Sequence, residues 1–455
     1  MSDRPVVILM TSNGVGMGHL SRQLTAALSG PRRFDPVVFS LSRAMPRIIA
    51  ATEGVALAEA HDRNLRFEYA PSWESGWFPT GWKAPVRRRY RSYRWAPYLR
   101  DRIHALAVET GARTLVFDGV APYPGLVAAR RELPSLRFVW VRRGLWQPQA
   151  PAERLDLSRY FDLTIEPGDV ARAWDIGPTR DRDDAVRLDG PVSLTDVLEP
   201  SDPRAAREDL GLPIDRPVLL LAPGSGALGS VDATAAEVLE AVHRSHPDWV
   251  VAVTRQSIAR HSVRGDGDRV FVLDDVYPLA RFVGTFDAAV SAAGYNAVHE
   301  LLAARVPTLL IPSTNHVTDD QPTRALGAAS RGVALAVETT VARAVDRLLD
   351  TAERRALRDA MALLEPADGG RGVADRITAL TDGTPAPRWS PAQPSRPFLD
   401  LRTTAIAGTD DAVVFTEHLD RELLAGSRPV EHLLTGSSAR YRRDRGKIAS
   451  WLYRT

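Results

Sequence analysis

The sequence predicts two doubly wound, mostly parallel α/β domains in tandem, followed by an appendage, on three observations. Short β-branched runs alternate with helical stretches from residue 6 onward, the pattern of repeated βα units. The alternation restarts after Leu188-Asp189-Gly190-Pro191, a turn signal that follows the Asp- and Arg-rich stretch Asp181–Arg187. Beyond Gly383, proline recurs at 385, 387, 391, 394 and 397, the composition of a stiff extended linker rather than a core. The boundaries are therefore 1–187, 188–382 and 383–455, the last a Pro-rich linker with a C-terminal extension.

In the first domain, strands are expected at Val6–Met10, Pro36–Ser40, Thr114–Asp118, Arg137–Val141 and Leu163–Glu166. Helices lie between them, notably His19–Leu28 and the long Val86–Glu109 region. In the second, strands are expected at Val218–Ala222, Val250–Thr254, Val270–Leu273, Ala288–Ser291, Thr308–Ile311 and Gly332–Ala336, with helices continuing to about Leu380. Two such sheets in tandem bring the carboxyl ends of their strands to one crevice, where ligands bind.

The 455 residues are enough for two or three domains, and 44% hydrophobic with 25% charged residues is a soluble globular composition. The 58 Lys and Arg against 56 Asp and Glu leave +2, so no whole-molecule field points to nucleic acid. The absence of cysteine excludes disulfides, thiolate catalysis, Cys-ligated zinc and iron–sulfur clusters, and fits a reducing compartment such as the cytoplasm. Val6–Met10 is too short for the apolar core of a signal peptide, and no run of about 20 apolar residues predicts a membrane span.

The first strand ends in Thr11-Ser12-Asn13-Gly14-Val15-Gly16-Met17-Gly18-His19. Glycines there let backbone N–H groups crowd at a helix start, a site for an anion or a substrate oxygen. The spacing is not that of the dinucleotide fingerprint, and no acidic ribose partner follows the second strand. His19 in the first helical turn suits a general base, because the helix dipole keeps an imidazole neutral; it suits a helix cap as well. Asp118 ends a strand and points to the crevice or caps the next helix. Arg142 and Arg143 end another strand, where they either hold an anionic group of an acceptor or form a solvated basic loop.

In the second domain the most specific stretch is Ser291-Ala292-Ala293-Gly294-Tyr295-Asn296-Ala297-Val298-His299-Glu300, followed by Asp319-Asp320-Gln321. A helix starting at Gly294 presents free N–H groups to a diphosphate. Glu300, about two turns in, can accept from a diol such as a ribose. Asp320 and Gln321 open a further helix and offer hydrogen-bonding groups to sugar hydroxyls, whereas His299 reads as a packing or solvent-facing residue.

These motifs resemble the nucleotide-sugar glycosyltransferases of the GT-B fold, particularly the MurG-type N-acetylglucosaminyltransferases, over most of residues 4–380. The resemblance implies two Rossmann-like domains facing a central cleft, and inverting, metal-independent transfer from a UDP- or dTDP-sugar, which is a substrate, with no cofactor. It implies that Gly294, Tyr295 and Asn296 hold the pyrophosphate, Glu300 the ribose, and Asp320 with Gln321 the transferred sugar. Gly224-Ser225-Gly226 corresponds to a second phosphate-facing loop, the backbone at Val276 to the base-reading segment, and Arg255 to a donor-side cation. His19, assisted by Asp118, would deprotonate the acceptor hydroxyl, with Gly16, Gly18, Arg142 and Arg143 on the acceptor side. Ala292 departs from related plant-type transferases, which carry histidine there, so phosphate stabilisation would rest on backbone amides and arginine. Gly16-Met17-Gly18-His19-Leu20-Ser21-Arg22 also resembles the G-x-G-H-x-x-R segment of nucleotide-sugar hydrolases of nonulosonic acid biosynthesis, in which the histidine would activate water. A non-catalytic GT-B scaffold is the third reading.

Between Trp73 and Arg102, and again in Arg440–Thr455, aromatic residues interleave with Lys and Arg. Either segment can stack on sugars, hold a lipid diphosphate head group or rest on anionic lipid, which would put the protein at the inner membrane face; an amphipathic helix with its aromatics inward is the structural reading of the first. The acceptor class is left open among saccharides, lipid-linked sugars and small molecules.

Overall fold

In a computed structural model, the described residues are 4–12, 17–29, 33–42, 65–70, 72, 84–224, 232–255, 263–274, 276–313, 316–366 and 368–382. They form two all-parallel sheets. The first has the order β3-β2-β1-β4-β5-β6-β7, with β1 Val6–Thr11, β2 Asp35–Ser40, β3 Arg66–Tyr69, β4 Thr114–Asp118, β5 Arg137–Val141, β6 Leu163–Glu166 and β7 Val186–Arg187. The second has the order β10-β9-β8-β11-β12-β13, with β8 Val218–Ala222, β9 Val250–Arg255, β10 Val270–Asp274, β11 Ala288–Ser291, β12 Thr308–Leu310 and β13 Leu335–Ala336.

Both sheets are covered on two faces, which is why their central strands are continuous apolar runs. In β1, Val7 and Leu9 join Val116, Val139 and the helix Gly18–Leu28, while Ile8 and Met10 point the other way into Phe117, Phe138 and the helix Ala84–Thr110. In β8 the same alternation sends Leu219 and Leu221 to one core and Val218 and Leu220 to another.

Order reverses between β1 and β4 in the first sheet and between β8 and β11 in the second, and a crevice forms at each switch point. Register places the two strand ends side by side: Thr11 pairs with Asp118, and Ala222 with Ser291. Gly224, just beyond β8, has φ +89°, and a Cβ there would lie 3.3 Å from the Cβ of Ala292; glycine suits both the left-handed backbone and the close approach.

Two strands lie outside the sequence expectation. β3 carries Glu68, completely buried against Arg102 at 2.9 Å, so its apolar alternation is hidden by a charge. β7 is a two-residue edge strand within the Asp- and Arg-rich segment. The helix Gly369–Thr381 belongs to the stretch expected in the second domain, yet it packs on the first sheet. Val373, Ala374 and Ile377 share a core with Leu20, Leu24 and Val116, and the Thr381 and Thr114 hydroxyls meet at 2.7 Å. Gly370 permits this contact, since a Cβ there would lie 2.5 Å from Thr25 and Ser29.

The basic-aromatic segment turns inward where it is described. Trp95 is buried, Arg102 is completely buried against Glu68, and Arg100 is paired with Asp101 and Glu132. Residues 73–83, the side chains of 84–91 and Tyr93, and the extension 383–455 lie outside the described residues. Among the described residues no helix is long and apolar enough to cross a membrane.

Candidate active site

His19 is the second residue of the helix Gly18–Leu28, which begins beside the carboxyl ends of β1 and β4. Its Nδ1 lies 2.6 Å from Oδ1 of Asp118. Arg22, one turn further along the same helix face, donates from Nε to Asp118 Oδ2 at 2.9 Å and from NH2 to Oδ1 at 2.5 Å. Nδ1 also lies 2.8 Å from Arg22 NH2, which can only donate; the shorter contact to the carboxylate, which only accepts, favours the proton on Nδ1 and leaves Nε2 as the basic nitrogen.

Burial pushes the Asp118 carboxyl up, but the Arg22 guanidinium and the hydrogen bonds from His19 and Arg22 outweigh it and hold the group below its ordinary value. Burial lowers the His19 pKa below 6.5; Asp118 opposes that shift, and the charges of Arg22 and Arg143 reinforce it. The imidazole is neutral at pH 7, oriented by a carboxylate and only partly covered, as a general base must be.

The helix Tyr295–Ala303 of the second domain starts opposite. Asn296 donates from Nδ2 to the Gly18 carbonyl at 3.2 Å, and its Oδ1 accepts from Arg22 NH1 at 3.1 Å. Two helix N-termini therefore face one crevice, and their free N–H groups and dipoles favour an anion between them. Gly294, the residue before that helix, carries no side chain to block the approach; a Cβ there would meet only the Gln321 amide, at 3.9 Å.

Beside His19, Arg143 NH1 donates to Asp319 Oδ1 at 3.0 Å. Asp319 also faces Arg324 at 3.0 Å, and Arg324 donates to Asp169 of the first domain at 2.8 Å. Burial raises the Asp319 carboxyl, yet Arg143 and Arg324 hold it far below the usual range. The seam is closed by the backbone as well: Trp146 pairs with Asp319 in an isolated bridge, and Gln147 N–H donates to the Thr318 carbonyl at 2.9 Å. Asp319, Arg324 and Asp169 were absent from the sequence-expected set. Asp319 could have been found in the Asp-Asp-Gln run; nothing in the sequence marks the other two.

Several expected residues are placed differently. Arg142 does not face the crevice: completely buried, it donates to Asp184 at 2.9 and 3.1 Å and stacks over Trp140 at 5.3 Å. Asp320 caps its helix, accepting from the Thr323 N–H at 3.0 Å and hydroxyl at 2.8 Å. Arg255 is held by Asp274 through two contacts of 2.5 and 2.7 Å on the β9–β10 side of the sheet. The Tyr295 side chain is buried between the domains, donating from its hydroxyl to the Gly168 carbonyl at 2.8 Å and accepting from Val192 N–H at 3.0 Å, which leaves only its backbone for a phosphate.

Gln321 stays at the site, accepting from Ser313 N–H at 3.0 Å and donating to Asp319 at 3.2 Å. Glu300 is partly buried; burial, with the Asp196 carboxylate adding to it, pushes its carboxyl up to about 8. Val276 packs against the core beside β10, next to Tyr277, whose hydroxyl lies 3.2 Å from Ser21 Oγ. His299 is a packing residue: Nδ1 donates to the Tyr295 carbonyl at 2.7 Å and Nε2 accepts from Val170 N–H at 3.1 Å. Gly16, Ser225 and Gly226 lie outside the described residues.

No family model matches the chain. It is similar to the UDP-N-acetylglucosamine--N-acetylmuramyl-(pentapeptide) pyrophosphoryl-undecaprenol N-acetylglucosamine transferase of Clavibacter sepedonicus, with 28% identity over 194 residues, 40% of this chain and 50% of the relative. The protein of that name from Exiguobacterium sp. is 28% identical over 204 residues, 43% of this chain and 55% of the relative. The chain thus spans about half the length of the curated relatives it matches. Among solved structures it resembles CalG4, the calicheamicin glycosyltransferase, with a TM-score of 0.53 and 16% identity over 85% of this chain and 100% of that one. UGT2 of Phytolacca americana, solved with UDP-2-fluoro-glucose and pterostilbene, gives 0.55 and 13% over 84% and 100%. The fold is GT-B, and the sequence is MurG-like.

Proposed function

We propose that this MurG-like protein of GT-B fold transfers a sugar from a UDP- or dTDP-sugar to an acceptor hydroxyl, with inversion and without a metal. The observation that carries the reading is the His19–Asp118 contact of 2.6 Å at a crevice walled by two helix N-termini. His19 Nε2 takes the acceptor proton as the hydroxyl oxygen attacks the anomeric carbon from the face opposite the leaving diphosphate. Asp118 keeps the proton on Nδ1 and stabilises the imidazolium that forms. The departing diphosphate gains its charge beside the amides at Gly294–Asn296, a preorganised stabilisation that needs no bound cation. In the crevice Arg22, Arg143 and Arg324 are each paired with an aspartate, which favours backbone amides as the phosphate ligands.

The two curated relatives are N-acetylglucosamine transferases by name, and they support transfer over hydrolysis. The acceptor is a saccharide, a lipid-linked sugar or a small molecule, and a lipid-linked one would draw the protein to the cytoplasmic membrane face. The test is thermal denaturation with UDP-, dTDP-, GDP- and CDP-sugars, with and without magnesium, because a ligand of the native state raises the melting temperature. The proposal expects one nucleotide class to give an equal rise in both conditions. A rise that requires magnesium overturns metal independence, and no rise with any donor overturns the donor site. Release of free sugar without acceptor, at the rate of full turnover, would establish the hydrolase instead.

A further inference from the structure

Arg22 is not needed as a cation for the donor, since Asp118 neutralises it, yet it is almost completely buried and spans the two domains. Nε and NH2 grip both oxygens of Asp118, NH2 also lies 2.8 Å from His19 Nδ1, and NH1 donates to Asn296 Oδ1 at 3.1 Å. The guanidinium lies 5.4 Å from the centre of the Tyr295 ring, also in the second domain. One rigid planar group thus touches the carboxylate that orients the base and the helix start that faces the donor. A guanidinium has this reach because its donors leave one plane in fixed directions, so a shift at NH1 is felt at Nε and NH2.

Resting on the transferase reading, we propose that Arg22 is a positioning residue that ties the orientation of the His19 imidazole to the docking of the second domain's helix Tyr295–Ala303. With Asn296 in place, the fork is held square on Asp118, and Oδ1 stays where it accepts from His19 Nδ1. When the helix moves away, NH1 loses its partner, the fork is free to swing, and Asp118 no longer fixes one tautomer. The imidazole is then held in one orientation only while the two helix starts are docked. The charged groups facing His19 in this arrangement are Asp118, Arg22 and Arg143, with Asp319 and Arg324 behind Arg143.

The test is nitrogen-15 spectroscopy of ring-labelled histidine, with His19→Gln used for assignment, on the full chain and its R22Q, R22K and N296A variants. In the parent protein His19 is expected as a single Nδ1–H tautomer that titrates below 6.5. R22Q removes a positive charge beside the ring and should raise that midpoint by on the order of one pH unit. R22K keeps the charge without the fork and should give mixed tautomers, and it carries the test if R22Q does not fold. N296A, which keeps the backbone amide, should also give mixed tautomers and lower kcat about tenfold. A single Nδ1–H tautomer and an unshifted midpoint in the variants that fold would overturn the proposal. The spectra need no turnover: a protein inactive on every donor but showing these shifts keeps Arg22's role and loses the transferase reading.

Discussion

Arg143 and Asp319 face each other across the crevice at 3.0 Å, one from the end of β5 and the other from the segment that leads into the helix Gln321–Ser330. Their sequence neighbours, Arg142 and Asp320, are turned into the fold and serve structure. Exchanging each residue for alanine should therefore separate two effects. Arg143→Ala removes a charge that lowers the basicity of His19, so the acid limb of kcat/KM should move to higher pH. Arg142→Ala removes the buried partner of Asp184 and one of the three arginines facing the buried Glu166, the others being Arg172 and Arg187, and should cost about 1–3 kcal/mol, read by denaturant unfolding, with the pH profile unmoved.

The pH dependence of the proposed transfer follows from the same balance. A general base works unprotonated, and burial lowers the His19 pKa. The rate should rise through a midpoint below 6.5 and be level at neutrality. A midpoint above 6.5 would show that Asp118 outweighs burial and the two arginines.

Glu300 gives a prediction about stability. Its folded pKa of about 8 lies above the ordinary 4.5, so between those values the unfolded chain has released a proton that the folded chain keeps. Folding stability from this group is present below 4.5 and lost as pH rises through 8. Glu300→Gln removes the loss, and its melting temperature relative to the parent should climb from pH 5 to pH 8. A constant difference across that range would contradict the placement of Glu300.

The helix Gly369–Thr381 supplies a fourth test. Ile377 is completely buried under the first sheet. Ile377→Ala should cost about 2–5 kcal/mol and loosen hydrogen-exchange protection in β4 and β5. Loosening confined to the second sheet would contradict this docking.

Much of this was legible in the sequence, and the rest was hidden for identifiable reasons. The strands with unbroken apolar runs, such as β1 and β8, stood out because both their faces are buried. Glu68 concealed β3, since its fully buried carboxylate is held by Arg66 of the same strand and by Arg102, which comes from a distant helix. His19 and Asp118 were readable as strand-end neighbours, because parallel order brings Thr11 beside Asp118. The choice between Arg142 and Arg143 was not readable. Successive residues leave a strand on opposite faces, and only the Trp140 and Asp184 contacts reveal which arginine turns inward. Asp169 and Arg324 meet only when the domains close, so no local pattern announces them.

If His19 is the base of a sugar transfer whose donor is held by other groups, its loss should separate turnover from donor binding. Donor affinity and turnover of the parent and His19→Ala should be compared under one set of conditions, by calorimetry with the nucleotide sugar that raises the melting temperature and by its consumption with acceptor. Loss of turnover by roughly 10²–10⁴-fold with donor affinity unchanged is the predicted result. Turnover within a few-fold of the parent would contradict it.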